Sequence, residues 1–529
     1  MKPLELLDGS AAHVLEFEWL RAAVAPVSSY GERIFEGLRP FAGGEERAAQ
    51  ARAQRVAAMT QRVGAERIDA VRGVLRDIPD ATPAIARAAI GGVLSDPSLL
   101  ELRRFGAAIA RIDALLADGP PLENAAVLKL RETLDAGQDR ENEFYLSDAF
   151  DESLAAARRE LMEAQAELDA ARGRESERAA RELRRAELGE EFIVMRAEHS
   201  GHLPQGVRVL REAPTYFLCT LEYGDAALAA LRRRDGAAAE LAAAEEGVRE
   251  RISDLVRNEA RGLEAAAAAL GELDVLFAAA HFTHRFGCLP ATIVDRPALK
   301  FEGARFLPLE AALATAGRPF VPLDVELHDP AVLTGPNMGG KSVALRTCGF
   351  VAVCAAFGLP VPAERARLGL FDRIAWLGIG REEPMGGLLS SFAREVLALK
   401  ELLTSDAVRL LVLADEFART TNPREGKALV VALLERLRAR GACALAATHL
   451  EGVAESAGAR HFAVRGLREI PAGPAPDVDA ALAALAGSMD YRLSEVTGDA
   501  AARADAIALA ALLGVEPAYV EAARAAFLK

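Results

Sequence analysis

A stretch near the middle of the chain, residues 333–342, combines glycines, a lysine and a serine in a spacing that could bind phosphate. It reads L-T-G-P-N-M-G-G-K-S and fits the pattern G-x-x-x-x-G-K-S. Glycines let backbone N–H groups turn towards phosphate oxygens, and the positive end of a following helix would face the same anion. We expect Lys341 to reach the β- and γ-phosphates of ATP and the Ser342 hydroxyl to bind Mg²⁺. The alternative is a glycine-rich turn that merely precedes a lysine, and the strand-like run at 331–333 argues against it.

Two carboxylates follow a later apolar run and could complete this site. Residues 410–414 predict a buried strand that ends at Asp415 and Glu416. Asp415 would hold Mg²⁺, directly or through water, and Glu416 could act as the general base that polarises the attacking water. His449 ends the next strand-like run and could contact the γ-phosphate. An acidic pair that only starts a loop, and a histidine that only packs in the core, are the alternatives. The order of these segments after the phosphate loop favours the nucleotide site.

The segments around these residues predict an α/β domain from about residue 297 onward, because short apolar runs there alternate with helical patterns. Residues 1–145 are instead rich in Ala, Leu and Arg with helical periodicity, which is typical of an α-helical bundle. The clearest predicted elements are amphipathic helices at 60–75 and 97–117, helices at 344–357 and 425–440, and a strand at 442–447.

Between these two regions the pattern predicts a pair of long antiparallel helical arms. Residues 150–185 form a charged, proline-free helix in which Leu and Ala recur at three-, four- or seven-residue steps, as in a coiled coil. A second helical arm runs from 225 to 282. Three β-like runs lie between the arms, at 192–195, 207–210 and 216–221. A solvated helical hairpin that only sets a spacing is an equally good interpretation of the arms.

Charge and cysteine content limit the classes of function. The 529 residues carry a net charge of -14, which repels DNA at long range unless basic groups gather on one face. The five cysteines form no C-x-x-C pair and are expected to be buried thiols in a reducing compartment. The start of the chain has no apolar signal segment, and no uncharged run approaches the ~18 residues of a membrane span. We therefore expect a soluble, cytoplasmic protein.

Two local clusters have alternative interpretations. The run L-R-R-R at 231–234 could touch phosphates, but a charged run on a helix is more often a solvated face. His281, His284 and Cys288 lie at i, i+3 and i+7 and could ligate a metal. The sequence offers no evident fourth ligand, and Gly287 interrupts the helix, so we favour a packed helix end there.

The phosphate loop resembles one family in particular. Its core Pro-Asn-Met, within residues 334–342, is similar to the hallmark loop of the MutS family, the ABC-type ATPases of mismatch repair. The stretch D-E-F-A-R-T-T at 415–421 resembles that family's acidic strand end, and Thr448-His449 resembles its A-T-H ending. Ser390-Ser391-Phe392 with Glu395 resembles its signature segment. The strong likeness covers about residues 300–455, and a weaker one covers most of the rest.

The resemblance implies roles for individual residues. It implies that an aromatic side chain at Phe320 stacks on adenine, since 303–308 and 320–322 resemble the strands before the loop. It also implies that Ser390 reaches across a dimer to the partner's ATP. The catalytic residues are then Glu416, His449 and Lys341, and Ser342 and Asp415 bind the metal. The expected nucleotide-binding residues are Phe320, Gly335, Pro336, Asn337, Met338, Gly339, Gly340, Lys341, Ser342 and Ser390.

The implied fold is multidomain, with an α-helical core, coiled-coil lever or clamp arms, and a C-terminal α/β P-loop ATPase domain of the ABC type. We expect four parts: a helical core at 1–148, arms with a small β insertion at 149–290, the ATPase domain at 291–465, and a helical tail at 466–529 that packs on the ATPase domain or the dimer interface.

Two functions remain open. By resemblance, ATP binding and hydrolysis at a dimer interface, with itself or a paralogue, would open and close a clamp on DNA. Direct mismatch reading is not expected, since the chain starts near the core region of that family. Thr420 and Asn422-Pro423 also depart from the family's usual residues. Residues 419–423 resemble a branch of short MutS-like proteins that is associated with the reactivation of cobalamin-dependent lysine or ornithine aminomutases. That resemblance implies an alternative, a protein-remodelling ATPase, and the acidic charge suits a protein client. A scaffold that binds ATP without turnover is disfavoured by the intact site residues.

Overall fold

The computed structural model describes residues 1–2, 4–117, 121–140, 143–198, 202–336, 340–378, 391–467, 489–496, 507, 510–511 and 514–527. The chain divides into two compact units. One unit comprises Met1–Asp77 and Leu270–Lys529, and the other comprises Ile78–Ala269. The helices and strands of the first half are α1 Gly9–Val14, α2 Phe17–Ala23, α3 Ser29–Gly37, α4 Glu46–Val63, α5 Ala65–Asp77, α6 Thr82–Ala89, α7 Asp96–Leu115, α8 Ala125–Leu134, α9 Glu152–Glu182, β1 Glu191–Met195, β2 Val207–Glu212, β3 Tyr216–Leu221 and α10 Asp225–Phe286.

The elements of the second half lie in the unit that carries the predicted site. They are β4 Thr292–Val294, β5 Leu299–Ala304, α11 Leu307–Thr315, β6 Leu323–Leu327, β7 Ala331–Thr334, α12 Lys341–Ala356, β8 Arg365–Gly369, β9 Arg373–Gly378, α13 Ser391–Thr404, β10 Leu410–Asp415, α14 Pro423–Ala439, β11 Cys443–Ala447, α15 Val453–Ala457, β12 Arg460–Leu467, β13 Met489–Glu495 and α16 Pro517–Phe527.

A six-stranded sheet organises this unit, in the order β13-β12-β7-β11-β10-β9. The strands from β12 to β9 are parallel, and β13 is antiparallel to β12. Leu411 and Leu413 of β10 face one apolar layer, which includes α12, whereas Val412 and Ala414 face a second layer with α13 and α14. Because both faces are covered, the strands are nearly continuous apolar runs, as expected for a buried parallel sheet.

The register of the sheet brings the ends of three strands together. Asp415 of β10 is opposite Ala447 of β11, and Ala447 is opposite Leu333 of β7. Since these strands are parallel, the segments that follow them leave from the same edge. A separate four-stranded sheet, in the order β4-β8-β5-β6, packs its apolar side chains into the same core layer as α12.

In the unit Ile78–Ala269, α9 and the first part of α10 run antiparallel. Gly224 N donates to Glu175 Oε1, Arg233 pairs with Glu160 at 2.9 Å, and Arg251 pairs with Asp151, so contacts move back along α9 as α10 advances. A small apolar seam between the helices consists of Leu168, Ala171, Ala227 and Ala230. The three-stranded sheet β1-β3-β2 joins the two helices in the chain. A coiled-coil geometry for these arms stays a prediction.

The structure is multidomain and mostly helical with mixed sheets, which is compatible with the predicted fold class. Most predicted elements exist within a few residues, but the amphipathic helix predicted at 60–75 is wrong. Gly64, at φ 75°, ends α4 and separates it from α5. Residues 307–315 form helix α11, and 320–322 precede strand β6, so the stretches compared with strands are only partly strands.

The C-terminal segment also differs from expectation. Residues 466–529 are predicted as a helical tail, but β12 continues to Leu467, and β13 of the same segment pairs with it. Among the described residues of this segment, Pro517–Phe527 form helix α16, and much of the predicted tail lies outside the described residues. The first 77 residues belong to the same compact unit as the sheet. The fourfold division into core, arms, ATPase domain and tail stays a prediction.

Candidate nucleotide site

The predicted phosphate loop joins β7 to α12, the strand–loop–helix order that its pattern requires. Asn337, Met338 and Gly339 lie outside the described residues. Gly335 has φ 147° and lies so close to β12 that an added Cβ would be 2.9 Å from Val464 Cβ. Gly340 has φ 87° and precedes the first residue of α12, as its N-cap. Both ends of the loop therefore use conformations that favour glycine.

Lys341 is the first residue of α12, and its side chain is 5% exposed. Its Nζ donates to the carbonyl oxygens of Gly335 at 2.9 Å and Pro336 at 3.2 Å, and lies 3.8 Å from Glu416 Oε1. Burial lowers the pKa of Lys341, and the neighbouring carboxylates Glu416 and Asp415 oppose that shift. The ammonium group is thus held inside the loop beside the acidic strand end.

Asp415 ends β10 and is largely removed from solvent. Its Oδ1 has no hydrogen-bond partner within the described part of the chain. Burial raises the pKa of Asp415, whereas a hydrogen bond from the Ser342 side chain lowers it. A buried carboxylate oxygen without a partner is costly, and a hard cation is a ligand that would satisfy it. The pair Asp415 and Ser342 therefore fits Mg²⁺ in the chemistry of its donors.

Glu416 follows directly and has an unusual backbone conformation, with φ 52°. Its side chain is 16% exposed, and its Oε2 accepts a hydrogen bond from Arg419 Nη1 at 2.6 Å. Its backbone N–H donates to the carbonyl oxygen of Ala447 on β11, at 2.9 Å. The carboxylate therefore lies between two cations, Lys341 and Arg419. The sequence motif contains Arg419, but its contact with Glu416 was not predicted.

The remaining predicted site residues make fewer contacts with Lys341, Asp415 and Glu416. His449 is exposed and follows Thr448, whose N–H donates to Leu333 O at 3.0 Å, so it leaves the sheet at the same edge. Phe320 is half-buried, lies just before β6 and packs on the main apolar core. Ser390 lies outside the described residues. The structure thus brings together Lys341, Ser342, Asp415 and Glu416, and the roles assigned to all these residues stay predictions.

Two contacts at the loop were missed by sequence reasoning. The Thr334 hydroxyl lies 2.8 Å from His461 Nε2, which links the last residue of β7 to β12. Tyr491 of β13 lies beside Gly340, where an added Cβ would be 3.0 Å from its Cδ1. Neither contact has a local sequence signal, because each joins residues more than 100 positions apart.

Some members of the two other clusters weighed from the sequence pair with carboxylates of the protein. In the arms, Arg233 pairs with Glu160 and Glu167, and Arg234 lies 3.2 Å from Asp235. Helix α10 ends at Phe286, and Gly287 follows with φ 59°. Burial raises the pKa of the Cys288 thiol to about 12.

His281 lies beside a carboxylate of the protein, since its Nε2 is 3.7 Å from Asp69 Oδ1. Within the described ranges, no group of three or more His, Cys, Asp or Glu side chains could hold a metal ion. No helix in that same part of the chain is long and apolar enough to cross a membrane.

A parallel sheet with a glycine loop between strand and helix, facing an acidic strand end, is typical of phosphate-binding α/β proteins. Residues 331–467 match the family model described as MutS domain V. The DNA mismatch repair protein MutS of Granulibacter bethesdensis is 31% identical over 410 residues, which cover 73% of this chain and 44% of that protein. Endonuclease MutS2 of Pelotomaculum thermopropionicum is 34% identical over 202 residues, or 37% of this chain and 25% of that protein. The DNA mismatch repair protein MutS of Thermus thermophilus is 38% identical over 199 residues, which cover 37% of this chain and 24% of that protein.

The chain belongs to the MutS family, as its motifs predict. It spans less than half the length of the relatives named here. The match to the Granulibacter protein extends well beyond the phosphate-loop region, since it covers 410 residues.

Proposed function

We propose that this chain binds and hydrolyses ATP with Mg²⁺, and that it does so as a member of a dimer. The observation that carries the proposal is the unpaired buried Oδ1 of Asp415 beside Ser342 and Lys341, within the described residues. A metal-bound triphosphate supplies both a cation for Asp415 and an anion for Lys341. One ligand therefore satisfies both buried charges.

The chain's own residues suggest a sequence of events. Lys341 exchanges the carbonyl oxygens of Gly335 and Pro336 for the β- and γ-phosphates, since Nζ already lies within the loop. A bound Mg²⁺ neutralises charge that develops on those phosphates. Glu416, freed from Lys341, orients and deprotonates the attacking water. Gly335 and Gly340 let the loop backbone approach the phosphates closely.

The client is a separate part of the proposal. The relatives are named as DNA mismatch repair proteins and as endonucleases, which supports a role of that type for this chain, with DNA as the client. By resemblance, the dimer would place the Ser390 segment of one chain on the ATP of the other, and the antiparallel arms would close on DNA. None of the relatives named above supports the aminomutase alternative.

Lys341→Ala tests the nucleotide site. A charge-assisted hydrogen bond contributes about 1.5–3 kcal/mol, so the loss of one phosphate contact weakens binding by about 10- to 150-fold. The measurement is the Kd of ATP by calorimetry with Mg²⁺ present. Lys400→Ala is the matched control, because Lys400 is an exposed lysine of α13 and should leave the Kd unchanged. An unchanged Kd for Lys341→Ala would remove the site assignment.

A further inference from the structure

The short turn after β10, residues 416–418, has an unfavourable backbone. Glu416 has φ 52° and Ala418 has φ 61°. Neither residue is glycine, asparagine or aspartate, the types that adopt left-handed conformations most readily. Such conformations persist only where the surrounding structure holds them in place. The contacts around this turn therefore decide where the Glu416 carboxylate lies.

Within the described residues, contacts from three elements hold the turn. Glu416 N–H donates to Ala447 O of β11 at 2.9 Å. Gly426 of α14 lies so close that an added Cβ would be 2.9 Å from Ala418 O. The third contact comes from α13, where Glu395 Oε2 accepts a hydrogen bond from Ala418 N–H at 2.8 Å. Of these three contacts, the one from Glu395 is made by a side chain.

The Glu395 contact is buried at both ends. Glu395 is 6% exposed and Ala418 is 1% exposed. Phe417, between the two left-handed residues, is 2% exposed and packs in the apolar layer that α13 and α14 form. A carboxylate bonded to an amide in such surroundings makes a strong, directional contact, because water does not compete for either group.

We propose that Glu395 is a positioning residue for Glu416. Its carboxylate fixes the Ala418 amide, the amide fixes the left-handed turn, and the turn keeps the Glu416 carboxylate 3.8 Å from Lys341 Nζ. The role in catalysis rests on the proposed ATPase function, whereas the effect on the turn does not. Because Glu395 lies on α13, a displacement of that helix moves Ala418 and, two residues away, Glu416.

The test compares Glu395→Ala, Glu395→Gln and the control Glu401→Gln, which changes an exposed glutamate of the same helix. Hydrogen exchange of the peptide that contains Ala418 measures the turn. We expect Glu395→Ala to exchange faster there, and Glu395→Gln and Glu401→Gln to keep near wild-type protection, because the carboxamide oxygen of Gln accepts the same hydrogen bond. Unchanged exchange in Glu395→Ala would overturn the contact itself.

Kinetics then measure the positioning. A displacement of a catalytic group by about 1 Å lowers turnover by about 100-fold, so Glu395→Ala should lose about that factor in kcat while the Kd of ATP stays close to wild type. The thermal midpoint should fall by only about 1–3 °C, because the buried Ala418 amide loses its partner. Glu395→Gln should recover most of the loss. A parallel fall in kcat, ATP affinity and thermal midpoint would instead indicate a purely structural role and overturn the proposal. If the wild-type chain itself does not bind ATP, the ATPase function and this kinetic role fail together, and the exchange result still decides the contact.

Discussion

The substitution Asp415→Asn separates two effects of the buried carboxylate: the stability that it costs the protein without ligand, and its contribution to the binding of Mg²⁺ with ATP. In the protein without nucleotide, Asp415 Oδ1 is buried and has no hydrogen-bond partner among the described residues. An unsatisfied buried group of this kind costs about 1–3 kcal/mol, and more if it is charged. Asparagine has nearly the same shape and no charge to desolvate. We therefore expect the variant to raise the free energy of unfolding by about 1 kcal/mol, which raises the thermal midpoint of a 529-residue chain by about 1 °C.

With Mg²⁺ and ATP bound, the wild-type protein should be more stable than Asp415→Asn. A ligand at about 100 times its Kd stabilises a protein by about 2.7 kcal/mol, and the wild-type protein should gain this amount. The asparagine variant should gain less, because a neutral amide is a poorer ligand for Mg²⁺ than a carboxylate. The assay is thermal denaturation with and without Mg²⁺ and ATP, in both proteins.

Asp372→Asn is the matched contrast. Asp372 accepts hydrogen bonds from Gly43 N at 3.2 Å and Arg409 N at 2.9 Å, so its carboxylate is satisfied by the protein itself. This variant should be less stable than wild type with or without ligand, since asparagine has one acceptor oxygen for two donors. An Asp415→Asn protein that melts below wild type without ligand, and whose thermal midpoint rises as much as that of wild type with Mg²⁺ and ATP, would contradict this prediction.

Three other predictions concern turnover, thiols and the client. The Glu416→Gln variant should still bind ATP, and its kcat should fall by about 100-fold or more, because a general base contributes a rate factor of about that size. A wild-type turnover rate in this variant would show that Glu416 is not the base. The native protein should react slowly with a thiol reagent between pH 7 and 9. Burial raises the pKa of both Cys288 and Cys443 to about 12, so their thiolates form only as the pH approaches that value. Rapid labelling of the native protein would contradict this, and the unfolded protein, as the control, should give five reactive thiols. If DNA is the client, binding measured by anisotropy should weaken steeply as salt rises, and no retention of duplex, branched or single-stranded DNA at low salt would count against it.

Much of the sheet could be predicted from the sequence because its strands are buried on both faces. The run of residues 410–414 is apolar throughout, and it ends at Asp415, which is partly exposed. The same reasoning failed at Gly64, where a single left-handed residue divides a continuous amphipathic pattern into α4 and α5. Periodicity measures the average of a segment, so it does not detect one residue that ends a helix.

The candidate site was predictable in its ligands and not in its geometry. Glycine, lysine, serine and paired carboxylates identify phosphate and metal chemistry by type and spacing. The Thr334–His461 contact and the proximity of Tyr491 to Gly340 depend on how β12 and β13 extend the sheet. Strand β13 itself was missed, because residues 489–495 do not form a strong apolar run and pair with β12 in a register that only the folded sheet defines.

The residues that depart from the family's usual motif are compatible with this geometry. Thr420 stands where the family usually has glycine, yet the left-handed positions of the turn are Glu416 and Ala418, so the backbone has no need of glycine at 420. Asn422 caps α14 by accepting a hydrogen bond from Arg424 N–H at 2.9 Å, and Pro423 is the first residue of that helix. This defined start places Gly426 against Ala418 O. The changed residues therefore fix the beginning of α14, and α14 and α13 hold the turn that carries Glu416 from two sides.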